Sequence, residues 1–182
     1  LAVEVDGEFR IVADPPIVIP LRDAPDLMEP HRAEERMRVA YDGYLASTSD
    51  AQRELLSRYR LVDFAHKVVG VGSVGTRCFI LLFEGRDADD PLFLQVKEAG
   101  ASVLEPHLGR SAAPHGGQRV VEGQRLVQAA SDVFLGWSTG EAGHHYYFRQ
   151  LKDMKGSAEV EGMDAERMSG YADLCGWTLA RA

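Results

Sequence analysis

Short apolar segments rich in β-branched and aromatic residues recur along the chain without helical spacing, and this pattern predicts β-strands. Near the N-terminus, two such segments flank Asp6-Gly7, a dipeptide that strongly favours a two-residue hairpin turn. The predicted strands cover residues 2–12 as a hairpin, then 61–69, 76–83, 92–97, 133–138 and 144–151.

Four other segments carry apolar residues at the spacing of amphipathic helices. The predicted helices cover residues 31–46, 51–59, 118–130 and 164 to the end. Ser49, followed by Gln52, fits a capping box at the start of the second helix. The expected inward faces comprise Ala33, Met37, Ala40, Tyr41, Tyr44 and Leu45 in the first helix, Val121, Leu126 and Ala129 or Ala130 in the third, and Met168, Tyr171, Leu174, Cys175 and Leu179 in the last.

A Gly-x-Gly-x-x-Gly run lies between two of the predicted strands, at residues 70–75. In a dinucleotide-binding fold a helix follows the third glycine, and its N-terminal amides hold a pyrophosphate. In the protein-kinase fold the glycines form a hairpin tip, and a strand follows that leads towards a lysine-bearing strand. Because residues 76–83 look like a strand, the pattern favours the kinase type of phosphate loop.

Lys97 is the last residue of the short apolar strand predicted at residues 92–97. A lysine there needs either water or an anionic partner. In a kinase-like site its partners are a nucleotide phosphate and a glutamate on the next helix. Glu122 lies beside the apolar stripe of the predicted helix and is the preferred glutamate. Glu105 competes, but Pro106 follows it and is expected to interrupt a helix.

Each of these residues also has a purely structural explanation. Most isolated Gly-x-Gly-x-x-Gly matches are ordinary turns, and Ser73 at the tip either donates to a phosphate or merely favours the turn. On spacing alone, Lys97 is equally consistent with a strand-end lysine that reaches solvent, and Glu122 with an exposed helix glutamate. Gly123 costs the helix roughly 1 kcal/mol relative to alanine.

Composition describes an ordinary soluble globular chain, with 182 residues, 45% hydrophobic content and a formal net charge of −8. That charge argues against a general affinity for nucleic acid or for anionic membranes. The two cysteines either form one disulfide or pack separately as small apolar side chains, and the second is the expectation. No apolar run approaches the roughly 20 residues of a membrane helix, and no signal peptide is present, so a cytoplasmic location is expected.

Metal and nucleophile patterns are weak. His144 and His145 are adjacent on a predicted strand, so they point to opposite faces and cannot bind one ion together. Lys152 and Lys155, with Arg149, form either a basic rim to a phosphate cleft or a set of solvated linker charges. The sequence therefore predicts no metal site.

From residue 66 onward the chain resembles a large bacterial family known as domain of unknown function 2252 (DUF2252). Six blocks of sequence carry the resemblance: KVVGVGSVGTR at 67–77, PLFLQVKEA at 91–99, GQRVVEGQRL at 117–126, FLGW at 134–137, RQL at 149–151 and DMKG at 153–156. Such long blocks are far more specific than a single glycine pattern.

The resemblance implies a fold related to protein kinases and aminoglycoside phosphotransferases. It also implies that full-length members carry Gly-Asp-x-His-x-x-Asn and Asp-Phe-Asp motifs upstream, where phosphotransferases have their catalytic and magnesium loops; neither motif occurs in this chain. The chain is thus expected to be a fragment, with little catalysis by itself. It would bind ATP with Mg²⁺, whose ligands lie mostly elsewhere, through Gly70, Gly72, Ser73, Gly75, Lys97 and Glu122.

The predicted fold class is α+β: a kinase-like N-lobe with an antiparallel sheet of about five strands, a C-helix-like helix, and an extra N-terminal hairpin and helices. Residues 1–60 are expected to hold the hairpin, a proline-rich connector and two helices. Residues 61–151 would be the nucleotide-binding lobe, and 152–182 a linker and a helix leading to a missing segment.

Three functions are compatible with this fold. They are a nucleotide-binding lobe, a non-catalytic protein-binding module and a dinucleotide-binding enzyme. The expected partners are a nucleotide and the missing portion of the same protein, and neither nucleic acid nor membrane. Exposed strand edges also lead us to expect self-association into a homo-oligomer.

Overall fold

A computed structural model describes residues 1–24, 30–68, 75–87, 90–151 and 157–181. The strands are β1 (Ala2–Val5), β2 (Glu8–Ile11), β3 (Val18–Pro20), β4 (Arg60–Lys67), β5 (Cys78–Glu84), β6 (Pro91–Glu98), β7 (Gly136–Thr139) and β8 (His145–Gln150). The helices are α1 (Pro30–Ala46), α2 (Asp50–Leu56), α3 (Glu105–Leu108), α4 (Gly116–Val127) and α5 (Ala165–Ala180). The fold class is α+β, as predicted.

Six strands form one antiparallel sheet in the order β3-β4-β5-β6-β8-β7, and β1 and β2 form a separate hairpin. The sequence predicted about five strands. The additional one is β3, which comes from the proline-rich connector and pairs with β4 at the sheet edge. Pro20, which has no N–H to donate, is tolerated in such an edge strand. The N-terminal 60 residues thus contribute a strand to the same sheet.

Helix α1 covers one face of the sheet, because its apolar stripe faces the alternate residues of the central strands. Tyr44 is its anchor: the ring stacks on Phe148 at a centroid distance of 4.3 Å, and the hydroxyl donates to the Phe134 carbonyl oxygen at 2.9 Å. Gly136 makes room for this ring, since a Cβ there would lie 2.6 Å from Tyr44 Cε2. The expected inward residues of α1 all join this core, as buried members or as neighbours packed against it.

The opposite face carries a second apolar cluster, against which the β1–β2 hairpin packs. Its buried members are Ile11, Val18, Ala65, Ile80, Leu82, Phe93 and Leu151. A polar contact fixes the hairpin: buried Asp63 accepts from the Ile11 amide at 2.7 Å and forms an ion pair with Arg22. Arg22 Nη2 in turn donates to the Ile11 carbonyl oxygen at 2.9 Å, so all three groups have partners.

The capping box at Ser49 and Gln52 is confirmed at the start of α2. Helix α4 differs from its prediction, because it begins at Gly116 and ends at Val127, before Ala129 and Ala130. Val121 is fully buried as expected, whereas Leu126 is 82% exposed. Five residues of helix rotate the side chain by about 140°, which turns Leu126 away from the face that Val121 buries.

Helix α5 begins close to its predicted start at residue 164, where Asp164 is the N-cap and accepts from the Arg167 amide at 2.9 Å. Its predicted apolar side is present but exposed: Tyr171 and Leu174 are on the surface. Among the described residues, nothing buries that side.

The N-terminus of α4 is pressed against the sheet, and its two glycines allow this approach. A Cβ on Gly117 would lie 2.2 Å from the Tyr146 carbonyl oxygen and 2.9 Å from Trp137 Cβ. A Cβ on Gly116 would lie 2.3 Å from the Ala99 carbonyl oxygen. These obstacles are backbone atoms and a Cβ, which cannot move aside like the end of a flexible side chain. Close contact, rather than a turn, therefore explains both glycines.

We expect Gly117→Ala to destabilise the protein by about 1–3 kcal/mol, because the added methyl group must push α4 off the sheet. The matched control is Gly123→Ala in the same helix, where a Cβ meets nothing within 4 Å. This control should stabilise the protein by about 0.5–1 kcal/mol through helix propensity. Urea unfolding measures both changes, and equal stabilities for the two variants would contradict the packing argument.

Candidate functional site

Lys97 lies near the end of β6, at the edge of the sheet where the glycine segment joins β4 to β5. It pairs with Cys78 on β5 and with Tyr147 on β8, and Tyr147 pairs with Trp137 on β7. Directly paired residues project from the same face of a sheet. Cys78, Lys97, Tyr147 and Trp137 therefore form one row across four strands, on the face opposite α1.

A second polar group lies on this face two residues before Lys97 along β6. Gln95, only 3% exposed, pairs with Arg149 and accepts a hydrogen bond from Arg149 Nε at 3.0 Å. The Gln95 amide nitrogen donates to Cys78 Sγ at 3.5 Å. A buried amide with both ends engaged thus holds the guanidinium of Arg149 in a fixed position on the face.

Lys67 completes a group of three cations. It is the last residue of β4 and follows His66, which pairs with Phe79 of β5. Because side chains alternate between the two faces of a sheet, Lys67 projects from the face that Cys78 occupies. Burial raises the pKa of the Cys78 thiol, and the positive charges of Lys97, Lys67 and Arg149 oppose that shift. The thiol stays neutral, so the three charges are not balanced by it. We call Lys67, Lys97 and Arg149 the cationic face.

Tyr147 lies within the same group and is half-buried. Burial raises the pKa of its phenol, the Arg149 guanidinium opposes this shift, and Cys78 adds to it. The phenol is therefore a neutral hydrogen-bonding group beside the cations, with an aromatic ring that offers a flat apolar surface.

Helix α4 lies on the same side of the sheet as Lys97. The evidence is the contact of Gly117 with Trp137, a member of the Lys97 row. Glu122 is exposed on α4 and accepts a hydrogen bond from Gln118 Nε2 at 2.7 Å. The competing Glu105 begins α3, and Pro106 fits into the first turn of that helix rather than interrupting it.

The glycine segment joins two neighbouring antiparallel strands, since β4 and β5 pair from Arg60–Glu84 to His66–Phe79. Gly70, Gly72 and Ser73 lie outside the described residues. Gly75 is described and has φ of +83°, a left-handed conformation that suits glycine. The strand β5 that follows excludes the dinucleotide-binding alternative, which requires a helix after the third glycine.

Sequence reasoning missed Lys67 and treated Arg149 only as a rim or linker charge. The register of β4 and β8 brings both to the side of Lys97, and a single sequence does not give that register. One signal was available, because Lys67 directly precedes the glycine segment. Lys152 and Lys155 lie outside the described residues. Within the described part of the chain, no group of three or more His, Cys, Asp or Glu side chains is arranged to hold a metal ion.

Two histidines hold the N-terminus of α4, close to this site. His115 Nδ1 accepts from the amides of Gly117 at 3.0 Å and Gln118 at 3.2 Å, while His145 Nδ1 accepts from Gly116 at 2.9 Å. The rings stack with centroids 3.8 Å apart. A protonated Nδ1 has no lone pair to accept an amide, so this cap requires neutral imidazoles.

Burial and the neighbouring His145 lower the pKa of His115, and together they outweigh a hydrogen bond with the Ser138 backbone, which raises it. Its folded pKa lies below the unfolded value of about 6.5, so stability should fall as the pH drops below that value and stay constant above it. His115→Asn keeps a capping side chain that does not titrate, and should make this decline shallower. Urea unfolding between pH 5 and 8 measures how the free energy of unfolding depends on pH, and the exposed His107→Asn is the control. The same pH dependence in wild type, His115→Asn and His107→Asn would refute this role.

None of the described helices is long and apolar enough to cross a membrane. The comparison with curated proteins finds no match, and neither does the comparison with solved structures. The family described as "Uncharacterized protein conserved in bacteria (DUF2252)" matches the chain over residues 2–182. Because that match covers nearly the whole sequence, the chain belongs to the DUF2252 family.

Proposed function

We propose that this chain is the nucleotide-binding part of a kinase-like phosphotransferase, and that the cationic face receives the phosphates of ATP. One observation carries the proposal. Two paired strands are joined by a glycine-rich segment, a lysine lies on the next strand at the same end of the sheet, and a helix lies on the lysine side. This is the arrangement that a kinase-type phosphate loop requires.

Charge supports the same assignment. The chain carries a net charge of −8, yet this region of the sheet places Lys67, Lys97 and Arg149 around one neutral thiol. Binding an anion offsets the mutual repulsion of neighbouring positive charges. A polyphosphate is such an anion, and a guanidinium fixed by Gln95 can hold it with directed hydrogen bonds. In this proposal the amides around Gly70, Gly72, Ser73 and Gly75 provide the remaining donors.

Glu122 is the proposed partner of Lys97. It lies on α4, on the sheet side that Lys97 shares, and it now accepts a hydrogen bond from Gln118. A rotation of its side chain would exchange that contact for the lysine ammonium. The ion pair would hold Lys97 towards the phosphates, as in kinases.

Magnesium would enter this site with the nucleotide. The described residues supply cations and an amide rather than the carboxylates that Mg²⁺ prefers. We therefore propose that phosphate oxygens and the missing portion of the protein provide most metal ligands. The same division explains why little catalysis is expected from this chain alone. The proposed enzyme would be cytoplasmic.

A second candidate function is a protein-binding module without catalysis. The observation that favours it is the exposed apolar side of α5, which includes Tyr171, Leu174 and Trp177. An exposed apolar surface of this kind is typical of contact with another polypeptide. The missing portion of the same protein or a second copy of the chain would be the partner.

The first test is calorimetric titration of the chain with ATP and Mg²⁺. We expect Lys97→Ala to weaken binding at least tenfold, since a phosphate contact to a charged group contributes about 1.5–3 kcal/mol. Arg149→Gln should weaken binding to a similar extent. The matched control is Arg58→Ala, which removes one exposed cation just after α2, far from the cationic face, and should leave affinity unchanged.

Equal weakening by all three substitutions would mean that only net charge matters, and would overturn the assignment. Binding that survives Lys97→Ala and Arg149→Gln unchanged would do the same. Absence of ATP binding by a folded chain would favour the protein-binding module. Size-exclusion chromatography of Leu174→Glu and wild type then tests whether α5 mediates self-association.

A further inference from the structure

A separate cleft of about 490 Å³ opens on the other side of the sheet, between α1 and the strands. Its floor consists of Phe79, Val96 and Tyr146, which lie on three neighbouring strands and face α1. Ala33 and Met37 of α1 form the wall. This volume lies within the range of about 300–1,000 Å³ that is typical of small-molecule pockets.

The cleft exists because the side chains of α1 that face the sheet are larger in its C-terminal half than in its N-terminal half. In its C-terminal half, Tyr41 and Tyr44 reach the sheet and fill the space beside Phe83 and Phe148. In its N-terminal half the facing residues Ala33 and Met37 are short or unbranched, and a cleft remains between them and the strands. Protein interiors are otherwise packed without voids much larger than water, so a cleft of this size is a distinct feature of the fold.

Charged side chains surround the mouth of the cleft. Arg36 forms an ion pair with Glu141, while Arg77 Nη1 bonds Glu98 Oε2 at 3.0 Å. Arg32 lies 3.9 Å from Glu141. Of these side chains, Arg36, Arg77 and Glu141 line the cleft itself, so two guanidiniums and one carboxylate lie at its wall. Arginine also has five N–H donors, more than one carboxylate contact uses.

Glu98 stays ionised in this network. Burial raises its pKa, but the backbone and side-chain hydrogen bonds from Arg77, the charge of Arg77 and the nearby His144 outweigh burial and lower the pKa overall. His144 Nδ1 lies 3.3 Å from Glu98 Oε1. The contact between Arg77 and Glu98 is therefore an ion pair between two charged groups.

Tyr146 adds a polar group to the apolar floor. The residue is only 9% exposed, and its phenol is close enough to feel the charges of Arg77, Glu98 and Arg36. Within the described part of the chain its hydroxyl makes no hydrogen bond. A phenolic hydroxyl beside guanidiniums can donate a hydrogen bond to an anionic acceptor in the cleft.

We propose that this cleft binds an apolar carboxylate, such as a medium-chain fatty acid. The aliphatic part would lie between Phe79 and Met37, and the carboxylate would accept from Arg77 and the Tyr146 hydroxyl at the mouth. The site lies on the face opposite Lys97, so it does not depend on nucleotide binding.

The test is calorimetric titration of the 182-residue chain with decanoate below its micellar concentration, in parallel with decanol as the uncharged analogue. Wild type should bind decanoate saturably, and decanol at least tenfold more weakly. Arg77→Gln and Tyr146→Phe should each weaken decanoate binding about tenfold, because each removes a hydrogen bond to a charged group. Tyr146→Phe removes only the hydroxyl and preserves the packed ring.

The matched control is Arg60→Gln. Arg60 is exposed and pairs with Glu84 at 2.6 Å, much as Arg77 pairs with Glu98, but it lies at the opposite end of the sheet. This variant should bind decanoate like wild type. Equal affinity for decanoate and decanol, equal effects of Arg60→Gln and Arg77→Gln, or no saturable binding of decanoate would each overturn the proposal. Thermal melting confirms that every variant is folded.

Discussion

The antiparallel register between β5 and β6 decides which chemistry appears on each face of the sheet. It runs through seven consecutive pairs from Cys78–Lys97 to Glu84–Pro91. Because side chains alternate between faces, a slip of one residue would move Lys97 under α1 and expose Val96 on the other side. The apolar residues of both strands prevent that slip, since each alternate set is buried in its own cluster. The position of the lysine is thus a consequence of core packing.

Other elements of the described chain pack on both faces of the sheet. On one face the β1–β2 hairpin packs over β4 and β5, held by the contact of Asp63 with Arg22 and the Ile11 backbone, while α4 packs over β7 and β8. Lys97 and Gln95 lie on the strand between these two covers. On the other face α1 seals the sheet with Tyr44 and leaves a cleft nearer its N-terminus. One proposed binding region lies between the two covers of the first face, and the other lies between α1 and the strands.

The anchoring of α4 links the candidate site to the histidine pair. Gly116 and Gly117 bring the first turn of the helix against backbone atoms of the sheet, and at this distance His115 and His145 can accept its amides. The position of Glu122 relative to Lys97 depends on this contact. A change that loosens the helix N-terminus should therefore alter the proposed nucleotide site without touching any of its side chains.

Local patterns determined the elements of this protein. Asp6-Gly7 specified the first hairpin, Ser49 with Gln52 specified the start of α2, and the apolar segments gave the main strands. Such signals act over a few residues, so a single sequence contains them. The family blocks were also readable, and membership of DUF2252 is confirmed.

The tertiary structure alone decided which distant residues meet. Lys67 and Arg149 join Lys97 through strand register, Leu126 turns outward because the sheet accepts only one side of α4, and Tyr146 reaches the arginines across two strands. Each of these outcomes depends on pairing between segments far apart in sequence. Periodicity shows that a residue lies in a strand or a helix, but register and packing determine which neighbours it acquires.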